Sequence, residues 1–372
     1  MPDNTETIKK LIGSLATIQS LEGMGGDPKI WVDNFRKYEP GHYEYAKAQG
    51  NRMWEVANYY DRAKIYYEWG ISAGDDAYTQ KGHELAVNYR DYYAPTGGVS
   101  SHWSMPKGVF LHWLTTGDEV SKAWCINVAS GMSSGYMYSQ LGDVNGEMDN
   151  RIQARVIEAQ VIAYLITGDE LWANKLREAL PLILQTQSPD GAYRFKHIQN
   201  NDNKPFMVGL LHDAFLLYQR AFEEDVRLEP AMEKANEYMW SENWIEPAQG
   251  FQYSPGEEDG DGPAADLNNL IINGFTACGT PEQVEEIFEG SLTSWLEGDK
   301  QFNQAYTQAC QTLAKLPGAI SAWEDSVEPP EPSPEPEPGE PDVPGAKQAL
   351  ERAQVALKAA QGAVRRALRR LG

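Results

Sequence analysis

The sequence predicts an all-α chain of helical hairpins closed into an (α/α)6-type toroid, and three observations carry that reading. One hairpin is legible in full, its turn recurs along the chain, and the long connections fall on one side of the hairpins.

The legible hairpin runs from Asp149 to Arg194. Asp149-Asn150 suits a helix N-cap, and Val156, Ala159, Ile162 and Ala163 recur at helical spacing until Gly168 stops the run. Thr167-Gly168-Asp169 makes a tight turn, and a second helix follows from Glu170 to about Gln187, ended by Ser188-Pro189-Asp190-Gly191. The turn recurs as Gly74-Asp75-Asp76 and Gly117-Asp118-Glu119, each followed by an aromatic on the next helix (Tyr78, Trp124, and Trp172 in the legible unit). Cys278-Gly279-Thr280-Pro281-Glu282 is a variant copy, and Gly298-Asp299-Lys300 is a weaker echo. Glycine closes one helix in the left-handed conformation and the acid caps the next. A spacing of roughly fifty residues matches the upper end of repeat periods in arrays.

Taken in order, Thr5 to about Leu21 reads as an amphipathic helix with Ile8, Leu11, Ile12, Leu15 and Ile18 on one face. Gly23 to Gly41 reads as a long loop holding Trp31, Phe35 and Tyr38, and His42 to Trp69 as one aromatic-rich helix. An outer helix then reaches about Tyr93, a loop carries His102 and Trp103, and a hairpin spans 106–132. After loop 133–149 and the legible hairpin, loop 188–204 leads into Pro205–Phe222 and an outer helix near Glu229–Trp240. Loop 243–266 precedes helices over 267–277, 281–296 and 300–315. Counting the first helix as outer gives six inner and six outer helices. Inner-to-outer turns are mostly short and outer-to-inner connections long, so the long loops gather at one end of the barrel. That end is the expected site.

Composition narrows the function. Eleven Trp and nineteen Tyr suit the stacking of sugar rings, although large helical cores use aromatics too. The net charge is −22, and residues 1–323 hold 25 basic against 45 acidic side chains, so nucleic acid is not an expected partner. Cys125, Cys278 and Cys310 are far apart, which argues against a disulfide framework or structural zinc. No apolar stretch reaches membrane-spanning length, and no basic region precedes an apolar core at the N-terminus. A soluble chain made in the cytosol is expected, with a phage particle, released by lysis, as an alternative setting.

The tail is separate. Residues 324–345 form a Pro/Glu-rich linker, stiff and extended. Residues 346–372 follow as an amphipathic helix with Leu350, Leu357, Val364 and Leu371 seven apart, a seam suited to a coiled coil, oligomerisation or docking. Arg365, Arg366, Arg369 and Arg370 alternatively read as a basic anchor, or as the C-terminal charges of a helix.

Thr167-Gly168-Asp169, Trp172 and Gln187-Ser188-Pro189-Asp190-Gly191 together resemble hairpins of the (α/α) toroids of carbohydrate-active enzymes, the six-hairpin glycosidases and helical polysaccharide lyases. With Asp149-Asn150 and Ala163-Tyr164 added, the stretch is most similar to a helical pectate-lyase family. The detailed likeness covers about a third of the chain, and terpenoid cyclases share the hairpin rhythm. The Asn-Asn-His motif of alginate lyases is absent, since Leu270 follows Asn268-Asn269.

The resemblance implies a polysaccharide-degrading enzyme, and two chemistries suit the expected rim. Uronate β-elimination needs a group to neutralise the carboxylate, a base and an acid. Arg151 and Arg155, on successive turns of one helix, would hold the carboxylate, and Tyr193 or His102 would move the protons. Glycoside hydrolysis needs two carboxyls, for which Asp149 with Glu158 or Asp213 are the candidates, Asp190 and Asp266 being further acids. Trp103, Tyr136, Arg194, His197, Trp244, Tyr253 and Asn268 are expected to bind substrate. The crowding of aromatic, His and Arg residues favours an endo-acting lyase over the hydrolase, and a non-catalytic glycan-binding protein is the third reading. His212-Asp213 interrupts an apolar helix and must face a wet cavity or find close partners. No cofactor is expected. The run Glu257-Glu258-Asp259-Gly260-Asp261 suggests Ca2+, but Asn268 stands where an EF-hand loop has its bidentate Glu, and a solvated acidic loop fits better.

Overall fold

The computed structural model describes residues 5–13, 15–24, 26–49, 61–93, 99–100, 104–134, 141–142, 149–193, 204–222, 225–253 and 265–293. The chain divides into Met1–Ser326 and Val327–Gly372. The helix expected over 300–315, the linker and the terminal helix lie outside the described residues.

The described residues of the first unit form helices and one short two-stranded hairpin, joined by turns. Among the described residues, three N-terminal helices, α1 (Thr5–Ile12), α2 (Ile18–Met24) and α3 (Gly26–Gln49), precede five helical hairpins. The hairpins are α4 (Arg62–Ala73) with α5 (Asp76–Tyr93), α6 (Pro106–Thr116) with α7 (Glu119–Met132), and α8 (Asn150–Thr167) with α9 (Glu170–Leu184). They continue as α10 (Pro205–Ala221) with α11 (Leu228–Glu242), and α12 (Ala265–Cys278) with α13 (Pro281–Thr293). Strands β1 (Trp244–Ile245) and β2 (Gly250–Phe251) lie between α11 and α12.

The even-numbered members α4 to α12 pack in sequence as an inner layer. α8 is buried from Asn150 to Ala163 apart from Arg151, whereas outer α9 buries only the stripe Trp172, Ala173, Leu176, Ala179, Leu180 and Ile183. The N-terminal helices join the last hairpins to the first. α1 packs on α10, where the Arg220 guanidinium donates to the carbonyls of Lys10 and Leu11 at 3.1 and 3.2 Å. α2 packs on α4, α3 packs on α13, and Trp31 and Phe35 of α3 stack on Trp69 of α4.

The repeated turn works as its residues suggest. Gly74, Gly117 and Gly168 end their helices at φ of 62°, 75° and 65°. The following acids accept from the next helix, Asp75 from Ala77 N at 2.8 Å, Asp118 from Ser121 N at 2.8 Å and Asp169 from Leu171 N at 2.9 Å. In the later two copies a threonine completes the turn, its hydroxyl donating one turn back and accepting from the acid's N–H. At Thr280 a reciprocal bond with Gln283 forms a capping box instead.

The N-terminal expectations need correction. The helix expected over Thr5–Leu21 is two helices, broken at Gly13 with φ of 79°. Gly23–Gly41, expected as a loop, lies largely in α3. Trp31, Val32, Phe35, Glu39, His42 and Tyr43 are buried at spacings of three and four, and that packed stripe overrides the glycines and prolines that suggested a loop. The helix expected over His42–Trp69 is not continuous either, because α3 ends at Gln49 and Asp61 caps a new start at Arg62.

Two inner helices touch at backbone distance. A methyl group on Gly209 of α10 would lie 2.3 Å from the Leu270 carbonyl oxygen of α12. Gly209→Ala should therefore force the helices apart and lower stability by about 1–3 kcal/mol. Gly168→Ala meets no neighbour within 4 Å and should cost about 1–2 kcal/mol through its positive φ alone. Denaturant unfolding checks both. Only Gly209→Ala should also weaken side-chain contacts one turn further along the axis.

Candidate active site

One turn beyond Gly209 and Leu270, Asp213 accepts from the Asn273 side-chain amide at 2.8 Å. These residues belong to a charged cluster on the inner faces of the barrel. Asp61, Lys64, Lys107, Arg155, Glu158 and Asp213 line a cavity of about 20 Å³, room for about one water molecule. Asp61, Lys64 and Lys107 stand at the first turns of their helices, Arg155 and Glu158 lie in the N-terminal half of α8, and Asp213 lies at the midpoint of α10. The cavity therefore lies toward the end into which the long connections lead.

Glu158 is almost wholly buried and sits between two cations, Lys107 at 2.5 Å and Arg155 at 2.7 Å. Burial alone would raise its pKa, but the two positive charges outweigh burial and bring it to about 2. Lys64 bridges to buried Glu68 at 3.0 Å. Burial alone would lower Lys64, yet Glu68 and Asp213 hold it above its ordinary value.

Asp61 is the counterpart of Glu158. It adopts a left-handed conformation, φ 63° and ψ 62°, a strain of order 1 kcal/mol for a residue with a side chain. Its carboxylate accepts from Gly108 N at 3.0 and 3.2 Å and from Lys64 N at 3.2 Å. Gly108 is required for this approach, since a Cβ there would lie 2.5 Å from Asp61 Oδ1. Burial raises the Asp61 pKa and outweighs these bonds and the nearby lysines. One cavity thus joins a carboxyl whose pKa burial raises to a carboxylate that two cations hold ionised.

The expected residues are distributed unevenly. Arg155, Glu158 and Asp213 meet at the cavity. Asp149 N-caps α8 by accepting from Ile152 N at 2.9 Å, and Arg151 pairs with it at 3.1 Å. Tyr253 stacks on Phe206 at the start of α10, with Lys204 Nζ 4.2 Å from its ring centre. Trp244 packs between Trp240 and Phe251, at 4.6 and 5.0 Å. Two expectations change. Tyr193, expected as a rim acid or base, is fully buried, and burial pushes its hydroxyl well above the usual range. Asn268, expected to bind substrate, is buried and donates to the carbonyls of Gln249 and Ile287 at 2.8 and 3.2 Å, tying α12 to the strand hairpin and α13. His212 is buried beside Gly274 and Phe215, and burial lowers it to about 4, so only Asp213 of that pair reaches the cavity. His102, Trp103, Tyr136, Arg194, His197 and the acidic run 257–261 lie outside the described residues.

Sequence reasoning missed Asp61, Lys64 and Lys107. The available signal was Asp61 itself, an acid directly before a helical run, which the expectation of one long helix over 42–69 concealed.

The Glu158 cluster makes a measurable contribution. Its folded pKa of about 2 lies below the ordinary 4.5. The resulting stability, about 3 kcal/mol, is complete above the ordinary value and is lost as pH falls toward the folded one. Asp61 has the opposite sign, its raised folded value making stability fall as pH rises through it. Glu158→Gln removes the carboxylate that pairs directly with two buried cations and should cost about 3–5 kcal/mol at neutral pH. Unfolding curves of both proteins from neutral to acid pH should converge as the wild type loses this contribution. Parallel curves would contradict the assignment.

No family model matches the chain, and no curated protein matches it in sequence. Among solved structures, the fold is similar to that of an unsaturated glucuronyl hydrolase specific for heparin, with a TM-score of 0.55 at 9% identity over 74% of this chain and 87% of that one. It is also similar to a glycosyl hydrolase family 88 protein from Bacteroides vulgatus, with a TM-score of 0.54 at 14% identity over 82% and 99%. At these identities the likeness is one of architecture, and the chain has the all-α toroid fold found among carbohydrate-active enzymes.

Proposed function

We propose that the chain is a glycoside hydrolase acting on uronate-containing glycan at the long-connection end of the toroid. The observation that carries this reading is the meeting of three carboxyls, Asp61, Glu158 and Asp213, around one cavity. Hydrolysis of a glycosidic bond uses one carboxyl that holds a proton and another that stays ionised. Asp61, raised by burial, donates its proton to the leaving oxygen. Asp213, half-buried and oriented by Asn273, accepts a proton from the incoming water. Glu158 remains ionised and fixes Lys107 and Arg155, whose charges attract the sugar carboxylate.

Space agrees with these roles. The cavity takes about one water molecule and no sugar ring, so the ring lies outside its mouth. The chain's net charge of −22 repels a polyanion at long range, but screening removes that effect beyond about 10 Å and leaves the local cations in control. The class of the two similar solved structures favours hydrolysis over elimination. Burial of the Tyr193 hydroxyl weakens the elimination chemistry expected of it. Unsaturated glucuronyl ends, named for one of those structures, belong to the acidic sugars that this cavity suits.

Incubation with a panel of saturated and unsaturated acidic oligosaccharides and polymers tests the reading. Hydrolysis of unsaturated ends removes the ultraviolet absorbance of their double bond, hydrolysis of saturated chains releases reducing ends without it, and a lyase creates it. Asp61→Asn should lower kcat by about 10²–10⁴-fold with little change in KM. Activity undiminished in Asp61→Asn would remove Asp61 from the mechanism, and new absorbance on intact polymer would restore the lyase.

A further inference from the structure

At the end of the toroid with the short turns, the last turns of α8 and α10 border a groove of about 570 Å³, within the size range of ligand sites. Tyr164 lies six residues beyond Glu158 on α8, so the groove is about 9 Å further along that helix than the axial charges. Its floor is aromatic. The rings of Tyr164 and Phe222 are 4.6 Å apart, and those of Phe222 and Tyr218 are 4.9 Å apart. Its edge is charged. Asp225 is held by Arg227 through three bonds, from its N, Nε and Nη2 at 3.1, 2.9 and 2.6 Å, and Arg177 projects from α9 with its side chain 56% exposed. Arg177 is steadied by Asn174 at 2.7 Å and Glu170 at 3.4 Å on its own helix.

We propose that this groove is a second glycan-binding site, remote from the axial centre; its ligand class rests on the reading of the chain as glycan-active. A sugar ring has an apolar face and a rim of hydroxyls, and both halves find partners here. The face lies on Tyr164 and Phe222, and the hydroxyls meet Arg177 and the outer lone pairs of Asp225. A purely apolar ligand would bury those charges without replacing their hydrogen bonds. A small anion would meet Asp225 and Glu170 as well as the arginines. The aromatic floor is also not required by the nearby turn, which Gly168 closes through its own backbone bond to the Tyr164 carbonyl at 2.8 Å. Tethering a long glycan at this end raises its effective concentration at the other.

Affinity electrophoresis of the full chain through gels containing acidic or neutral polysaccharide tests the site. Wild type should be retarded in at least one gel. Tyr164→Ala and Arg177→Ala should each weaken retardation about tenfold, and Tyr164→Phe should restore it. Both alanine variants should keep wild-type turnover on short oligosaccharides, and Asp61→Asn should keep wild-type retardation. Arg177 is exposed, so its variant remains informative if Tyr164→Ala does not fold. Absence of retardation in wild type, or equal retardation of the alanine variants, would overturn the site. Retardation that depends on Tyr164 and Arg177 but comes without turnover would sink the hydrolase reading and leave the site standing.

Discussion

The structure depends on compensating charge that the fold forces away from water. Among the described residues, five inner helices converge on a narrow axis, where an apolar filling would be the simplest choice. Asp61, Lys64, Lys107, Arg155, Glu158 and Asp213 are gathered there instead. Buried ion pairs add little net stability compared with well-packed apolar groups, and losing one member of a pair is costly. Placing charges at the axis is therefore hard to explain by stability alone.

The compensation is uneven, and this gives the cavity its chemical character. Glu158 has two cations at hydrogen-bond distance and is held ionised. Asp61 is bonded chiefly to backbone N–H groups, which do not offset the burial that raises it. The geometry rests on glycines. Gly108 admits the Asp61 carboxylate, Gly209 lets α10 approach α12 so that Asn273 reaches Asp213, and Gly274 leaves room for the His212 ring. Side-chain bulk at any of the three would shift a helix against the cluster.

The legibility of the fold in the sequence followed the range of the interactions. Thr-Gly-Asp turns were readable because glycine, threonine and aspartate each act on backbone groups a few residues away. Inner helices α8 and α10 were readable from their apolar runs. α3 was hidden because its stability comes from stacking on α4, through Trp31, Phe35 and Trp69, while Pro40, Gly41 and the glycines before Asp27 suggested a loop. The site divided the same way. Arg155, Glu158 and Asp213 stood out as polar residues within apolar helices, but Asp61 and Lys107 acquire meaning only when α4, α6 and α8 are brought together.

One cavity holds two carboxyls driven in opposite directions by their surroundings. Carboxyl carbon resonances of selectively labelled Asp and Glu, assigned with Asp61→Asn and Glu158→Gln and followed against pH, test it directly. The Asp61 signal should titrate above the ordinary 3.8, while the Glu158 signal remains that of a carboxylate until the pH nears 2. An Asp61 signal that titrates at or below 3.8, or a Glu158 signal that titrates at its ordinary 4.5, would contradict the account.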